Sequence, residues 1–226
     1  MQSFNFKKEQ HMRKFLLAAA FALLSAFAAP TFAEDAPVGP TVEAAANLPG
    51  DPVDSTVLVY GGNKIGTGTI WGPGLIITAA HILVEQDQVI KLRDGSFIPT
   101  VGIYKNDLLD FAILKPLNAV PRGVEINCDM PRPGDKFTWT GMPLGFEWNL
   151  GQGFVSTLET HSTRPWYIGV SATVNHGDSG AGLFDKDNKL FAIIIGMMGE
   201  DATGNAFVLP AANFCGAIMD TISKLQ

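Results

Sequence analysis

Three short stretches of this 226-residue chain carry the side chains of a hydrolytic site: Thr78-Ala79-Ala80-His81, then Asp107-Leu108-Leu109-Asp110-Phe111-Ala112-Ile113-Leu114, then Asn175-His176-Gly177-Asp178-Ser179-Gly180-Ala181-Gly182. A serine hydroxyl is a poor nucleophile until a base takes its proton, and an imidazole of pKa about 6.5 can take and return that proton near neutral pH. A carboxylate behind the ring holds it in the right tautomer and stabilises the imidazolium. Asp110 lies 29 residues beyond His81, and Ser179 follows 69 residues later; Asp107 is a rival for the acid. The glycines flanking Asp178-Ser179 let a carbonyl approach, and the Gly177 and Ser179 N–H groups are placed to receive the developing oxyanion. An α/β-hydrolase runs Ser, Asp, His instead, and Ala181 breaks the Gly-x-Ser-x-Gly pattern of the lipases.

The elements that position these residues read as strands. Short runs rich in β-branched and aromatic residues recur between Gly, Pro, Asn and Asp: Thr56–Tyr60, Gly66–Trp71, Leu75–Thr78, Val89–Leu92, Phe111–Leu114, Lys136–Thr140, Gly153–Leu158, Trp166–Thr173, Leu190–Met197 and Ala206–Leu209. Their number and spacing predict an all-β barrel or sandwich, not βαβ units. Residues 116–134, with Pro116, Pro121, Pro131, Pro133 and Gly134, hold few apolar residues and read as a link. Pro210 suits a first helical position, and Phe214, Ile218 and Ile222 recur every four residues, predicting a C-terminal helix over 210–224. His161, among Thr160, Ser162 and Thr163, reads as exposed.

Residues 1–33 have the layout of a secretory signal peptide: Lys7, Lys8, Arg13 and Lys14, then the apolar run Phe15–Ala29, then small residues with cleavage expected after Ala33. Fifteen apolar residues fall short of a membrane span. Residues 34–52, rich in Ala, Pro and Gly, read as a flexible leader, which assigns 53–226 to the folded domain. Beyond residue 33 the chain carries 12 Lys+Arg against 21 Asp+Glu. An acidic balance of that size gives no electrostatic footprint for nucleic acid. Neither a Cys-x-x-Cys nor a His-Glu-x-x-His occurs, so no metal site and no cofactor is expected. The sequence has two cysteines, Cys128 and Cys215, both in the part expected to be exported, where a bridge or two buried thiols are both allowed. Gly61-Gly62-Asn63-Lys64-Ile65-Gly66-Thr67-Gly68 lacks the ending of a phosphate loop and reads as a turn entering a strand.

At the three motifs, in their order His, Asp, Ser, the chain resembles the trypsin-like, chymotrypsin-fold serine proteases, especially short bacterial members that mature without a zymogen step. The resemblance implies two six-stranded antiparallel β-barrels and a C-terminal α-helix, with barrel 1 over about 53–115, the link 116–134, and barrel 2 over about 135–209. It assigns the triad to His81, Asp110 and Ser179, because the family's acid directly precedes an Ala-containing apolar strand, and the oxyanion hole to Gly177 and Ser179. It also implies a pocket floor at Thr173, walls at Ile195, Gly196 and Met197, a substrate contact at His176, and a preference for uncharged side chains. Because the fold lays its last helix against the first barrel, a Cys128–Cys215 disulfide is expected. The function implied is a secreted or periplasmic endopeptidase acting on protein or peptide substrates, without cofactor and without a stable membrane span. The alternative is an inactive protease-fold module that binds peptides or a partner protein. The chain departs from the family at Ala181-Gly182, where most members continue Gly-Pro, and in lacking a trypsin-type activation site, so Asp178 needs a partner other than a new N-terminus.

Overall fold

The structure, a computed structural model, describes residues 50–84, 88–159, 165–198 and 204–225. The expected signal peptide, nearly all of the leader and His161 lie outside the described residues.

Six strands close the first barrel: β1 (Thr56–Gly61), β2 (Lys64–Trp71), β3 (Leu75–Thr78), β4 (Gln88–Lys91), β5 (Phe97–Asn106) and β6 (Phe111–Pro116), in the order β1-β2-β3-β6-β5-β4. Six more close the second: β7 (Lys136–Gly141), β8 (Asn149–Thr157), β9 (Ile168–Ser171), β10 (Gly182–Phe184), β11 (Leu190–Met197) and β12 (Asn205–Pro210), in the order β10-β11-β12-β9-β8-β7. Every pairing is antiparallel, and closure leaves no open sheet edge.

Two strands escape the sequence pattern. β5 contains Pro99 and Gly102, residues that ordinarily argue against a strand, yet it pairs with both neighbours and absorbs a register shift between Gly102 and Tyr104. β10 has only three residues and opens on Gly182, where a Cβ would lie 2.5 Å from Thr69 Oγ1 and 2.6 Å from Leu190 Cδ1. Ala181 beside it is fully buried. The small residues that depart from the family's motif are thus the ones this packing admits.

One apolar cluster spans both barrels, joining Ile70, Ile76, Phe111 and Ile113 of the first to Phe184, Leu190, Ile193 and Leu209 of the second. A second cluster, with Phe137, Trp139, Val170 and Ile194, fills the interior of barrel 2. The link is stitched to both: Val124 bridges to Trp71 and Ile126 to Leu190. A Cβ at Gly123 would come within 2.2 Å of Ile70 O, so the link needs glycine there to lie against β2.

The chain end differs in detail from the expectation. Pro210 closes β12, a 3-10 turn covers Ala211–Asn213, and the helix α1 runs Cys215–Ser223. The helix starts later because Pro210 is still in register with Ala192 of β11. The stripe serves as anticipated: Phe214 and Ile218 are buried, and the Phe214 ring stacks on Phe111 of barrel 1 at 4.4 Å between centroids. A disulfide joins Cys128 of the link to Cys215 at the start of α1, with 6.0 Å between their Cα atoms.

Candidate active site

The histidine comes from a 3-10 turn, Ala80–Ile82, that follows β3. Ala79 and Ala80 are buried, and the small side chains let the turn sit against the loop that carries Ser179. There a Cβ on Gly180 would be 2.9 Å from Ala79 N. Asp110 ends a tight turn built by Asn106, whose Oδ1 accepts the N–H groups of Leu108 and Leu109. Asp110 itself lies in the left-handed region, φ 55, a conformation that Asp tolerates better than most residues, and the next residue opens β6.

That turn aims the carboxylate at His81 with both oxygens. The His81 N–H donates to Oδ1 at 2.7 Å, and Nδ1 lies 2.6 Å from Oδ2. With Nδ1–H given to the carboxylate, Nε2 carries the lone pair, which is the tautomer a general base needs. Asp107 is elsewhere: its side chain is 80% exposed and pairs with Lys105 at 2.9 Å. The Lys64 Nζ donates to His81 O at 2.8 Å, a second hold on the same residue.

The serine loop, between β9 and β10, belongs to barrel 2 but is fastened to barrel 1. The Thr67 N–H donates to Ser179 O at 2.8 Å and its hydroxyl to Gly177 O at 2.7 Å. Thr78 Oγ1 donates in turn to Thr67 O at 2.7 Å. Gly180 has φ 85, and a Cβ there would come within 2.2 Å of Thr67 O and 2.4 Å of Thr78 Oγ1. These contacts bring the serine loop and the histidine turn onto the same end of β2 and β3. No hydrogen bond joins Ser179 Oγ to His81 among the described residues. Such bonds are often long before substrate binds.

The peptide ahead of the serine is oriented by main-chain contacts. Gly177 has φ 102 and a Cβ there would sit 2.0 Å from Met142 O, so only glycine fits. The Leu144 N–H donates to His176 O at 2.8 Å. In a trans peptide the C=O and N–H point opposite ways, so holding the His176 oxygen on Leu144 turns the Gly177 N–H to the other side. Neither the Gly177 nor the Ser179 N–H donates to an acceptor among the described residues. Two unpaired, fixed N–H groups beside a serine can stabilise an oxyanion.

Asp178 is 1% exposed, and its partner is the main chain of its own loop. Oδ2 accepts the Asn175 N–H at 2.9 Å, while Oδ1 faces Gly141 and the Met142 N–H without a hydrogen bond of standard geometry. Burial pushes this carboxyl from 3.8 up to about 6, outweighing the two N–H groups that pull it down. Desolvation wins because two main-chain donors, only one of them in standard hydrogen-bond geometry, do not replace the hydration a charged carboxylate loses.

The specificity residues do not assemble as anticipated. Thr173 is exposed and lines an open depression of about 690 Å³ with Lys136, Gln152, Phe154 and Asp185. Ser179, His81, Ile195, Gly196 and Met197 are not among its lining residues. A threonine facing water there cannot form the floor of an enclosed pocket. Ile195 occupies a bulge, between Ile194 and Gly196, and its side chain joins the apolar cluster that spans the barrels. Gly196 and Met197 are partly exposed at the end of β11, and His176 is exposed beside Gly177.

Sequence reasoning missed Thr67, Lys64 and Leu144. For Thr67 a signal existed: it stands between Gly66 and Gly68, and a Cβ at Gly66 would lie 2.9 Å from Ser179 O. Paired glycines around a threonine mark a strand that another backbone approaches closely. Lys64 and Leu144 act through main-chain atoms and a flexible cation, and no residue pattern announces either.

Two antiparallel six-stranded barrels with the site on loops where they meet define the double-barrel class of peptidase folds. The chain belongs to the trypsin-like peptidase domain family, whose model matches residues 66–193. Several curated relatives are named serine endoproteases. The serine endoprotease DegS of Haemophilus influenzae is 27% identical over 66% of this chain and 47% of its own length, and that of Escherichia coli K12 is 30% identical over 57% and 39%. A probable periplasmic serine endoprotease, DegP-like, from Rickettsia conorii is 28% identical over 71% of this chain and 34% of its own. The chain therefore spans less than half the length of these relatives. The fold is shared with a crystal structure of a serine endoprotease from Yersinia pestis at a TM-score of 0.66 and 23% identity, covering 76% of this chain and 64% of that one.

Proposed function

We propose that this chain is an exported serine endopeptidase that cleaves peptide bonds through an acyl-enzyme on Ser179. The observation that carries the reading is the two-point hold of Asp110 on His81, which leaves Nε2 free to accept a proton. In the acylation step Ser179 Oγ attacks the scissile carbonyl and its proton passes to His81 Nε2. The carbonyl oxygen, now negative, is received by the Gly177 and Ser179 N–H groups, each contributing about 3 to 4 kcal/mol to the transition state. His81 then protonates the departing amine, and water repeats the sequence to release the acid. No cofactor enters.

The acyl half of the substrate runs along Ile195, Gly196 and Met197, with His176 at the rim and without Thr173 as a floor. This wall is uncharged, so Lys and Arg are disfavoured there. Residues 1–33 direct export, consistent with an envelope location like that named for the DegP-like relatives, and 53–226 form the working domain.

The test is a fluorophosphonate probe at neutral pH followed by peptide mapping. Modification of Ser179 is expected, together with its loss in His81→Ala. A folded protein that takes no label and cleaves no peptide is a binding module instead.

A further inference from the structure

An apolar ledge lies beside the serine loop, and the steps above make no use of its side chains. Between β7 and β8 the chain reads Met142-Pro143-Leu144-Gly145-Phe146-Glu147-Trp148; Leu144 is 65% and Phe146 72% exposed. Single exposed apolar residues are ordinary, but here the segment is braced to hold them out. Leu144 donates its N–H to His176 O, both Glu147 carboxylate oxygens take Lys91 Nζ at 2.8 Å, and Trp148 Nε1 donates to Thr56 O at 3.4 Å. Leu144 and Trp148 both adopt φ 53, a region that bulky residues enter only where their surroundings enforce it.

The place of the ledge determines what it meets. Ser179 and Gly180 are held between two strands: Thr67 N–H donates to Ser179 O on one side, and Gly180 N–H donates to Ile194 O on the other. With the acyl half of a substrate along β11 beyond Ile194, the departing half leaves on the side of β2 and the ledge. There Ile65, next to Gly66, is 48% exposed, and Leu144 is bonded to His176, the neighbour of Gly177. The geometry points to Leu144 and Phe146 as an apolar subsite for the residue just after the scissile bond. The substrate class is a polypeptide with a large aliphatic or aromatic side chain directly after the scissile bond. This rests on the endopeptidase reading above.

Acyl transfer reads the departing side alone. The full chain is acylated with the p-nitrophenyl ester of N-acetylalanine, and leucinamide, phenylalaninamide, serinamide or glycinamide competes with water for the acyl-enzyme. In aminolysis the amine nitrogen attacks the acyl carbon, the C–N bond forms and the bond to Ser179 Oγ breaks. The amine proton passes through His81 to that oxygen, leaving an N-acetylalanyl amide. The ratio of amide to acid, measured by chromatography, does not depend on how much protein is folded. Leucinamide and phenylalaninamide are expected to partition about tenfold or more above glycinamide, the scale of one side chain entering an apolar site. That advantage falls toward one in Phe146→Ser and in Leu144→Asn, where Asn tolerates the left-handed backbone. Equal partition of all four amines by the unaltered chain, or a preference that survives both substitutions, overturns the subsite while leaving the peptidase reading intact. Absence of both ester turnover and Ser179 labelling overturns the two together.

Discussion

Asp178→Asn isolates the cost of one buried carboxylate. In the fold this group titrates at about 6, against 3.8 for the ordinary side chain. A rise of that size is worth about 3 kcal/mol of stability, at about 1.4 kcal/mol per unit. Because the folded value is the higher one, the protonated form is favoured by folding. Its contribution is complete below pH 3.8 and is lost as pH rises through about 6. Relative to Asp178→Asn, which cannot titrate, the parent chain should therefore lose about 2.5 kcal/mol between pH 4 and pH 8. The asparagine also changes the hydrogen bond to Asn175, but that offset does not vary with pH. Urea unfolding of both forms at closely spaced pH values, in a Ser179→Ala background to prevent self-digestion, measures the difference. A difference that stays flat, or that grows in favour of the parent as pH rises, would refute the account of Asp178 as a desolvated carboxylate that its loop only partly satisfies.

Ser179→Ala and His81→Ala should each lower peptide turnover by about six orders of magnitude, and Asp110→Asn by about four, whereas Asp107→Asn, which removes only a surface ion pair, should stay within a few-fold of the parent. Thr67→Val deletes the hydroxyl bond to Gly177 O; stability should fall by about 1 to 2 kcal/mol in chemical denaturation, and kcat should fall while a fluorophosphonate still finds Ser179. Replacing both cysteines by serine opens an 87-residue closed segment and should cost about 4 to 5 kcal/mol by chain entropy, seen as a lower melting temperature without reductant. An unchanged melting temperature would mean that the strand bridges of the link and the packing of Phe214 and Ile218 hold these segments without the disulfide.

The candidate residues were legible because they are written in side-chain identity. A histidine after two alanines, an aspartate before an apolar strand, and a serine between glycines are local patterns, and their order needed no coordinates. Ten of the strands were legible for a similar reason, since β-branched runs between turn residues are a period that a sequence displays. β5 and β10 were not, because each is stabilised by its neighbours: β5 holds a proline and a glycine that local preference rejects, and β10 is only three residues, Gly182–Phe184, too short to display a period, that pair on both sides. Preferring Asp110 to Asp107 needed a family pattern in sequence, while in the fold Asp110 is the carboxylate that reaches His81, from a turn that Asn106 ties, and Asp107 is held in an ion pair with Lys105.

What the sequence by itself determined is which side-chain types stand in the three motifs and that they sit on a β framework. What only the tertiary structure decided is where main-chain atoms point. The Thr67 N–H on Ser179 O and the Leu144 N–H on His176 O are contacts of backbone N–H and C=O groups, which every residue carries alike, so the type of the donor residue does not by itself announce them. The same holds for Thr173: a count of residues back from the serine assigned it to a pocket, but whether a side chain faces a cleft or water depends on strand register and on a bulge at Ile195, both set by pairing partners far away in the chain.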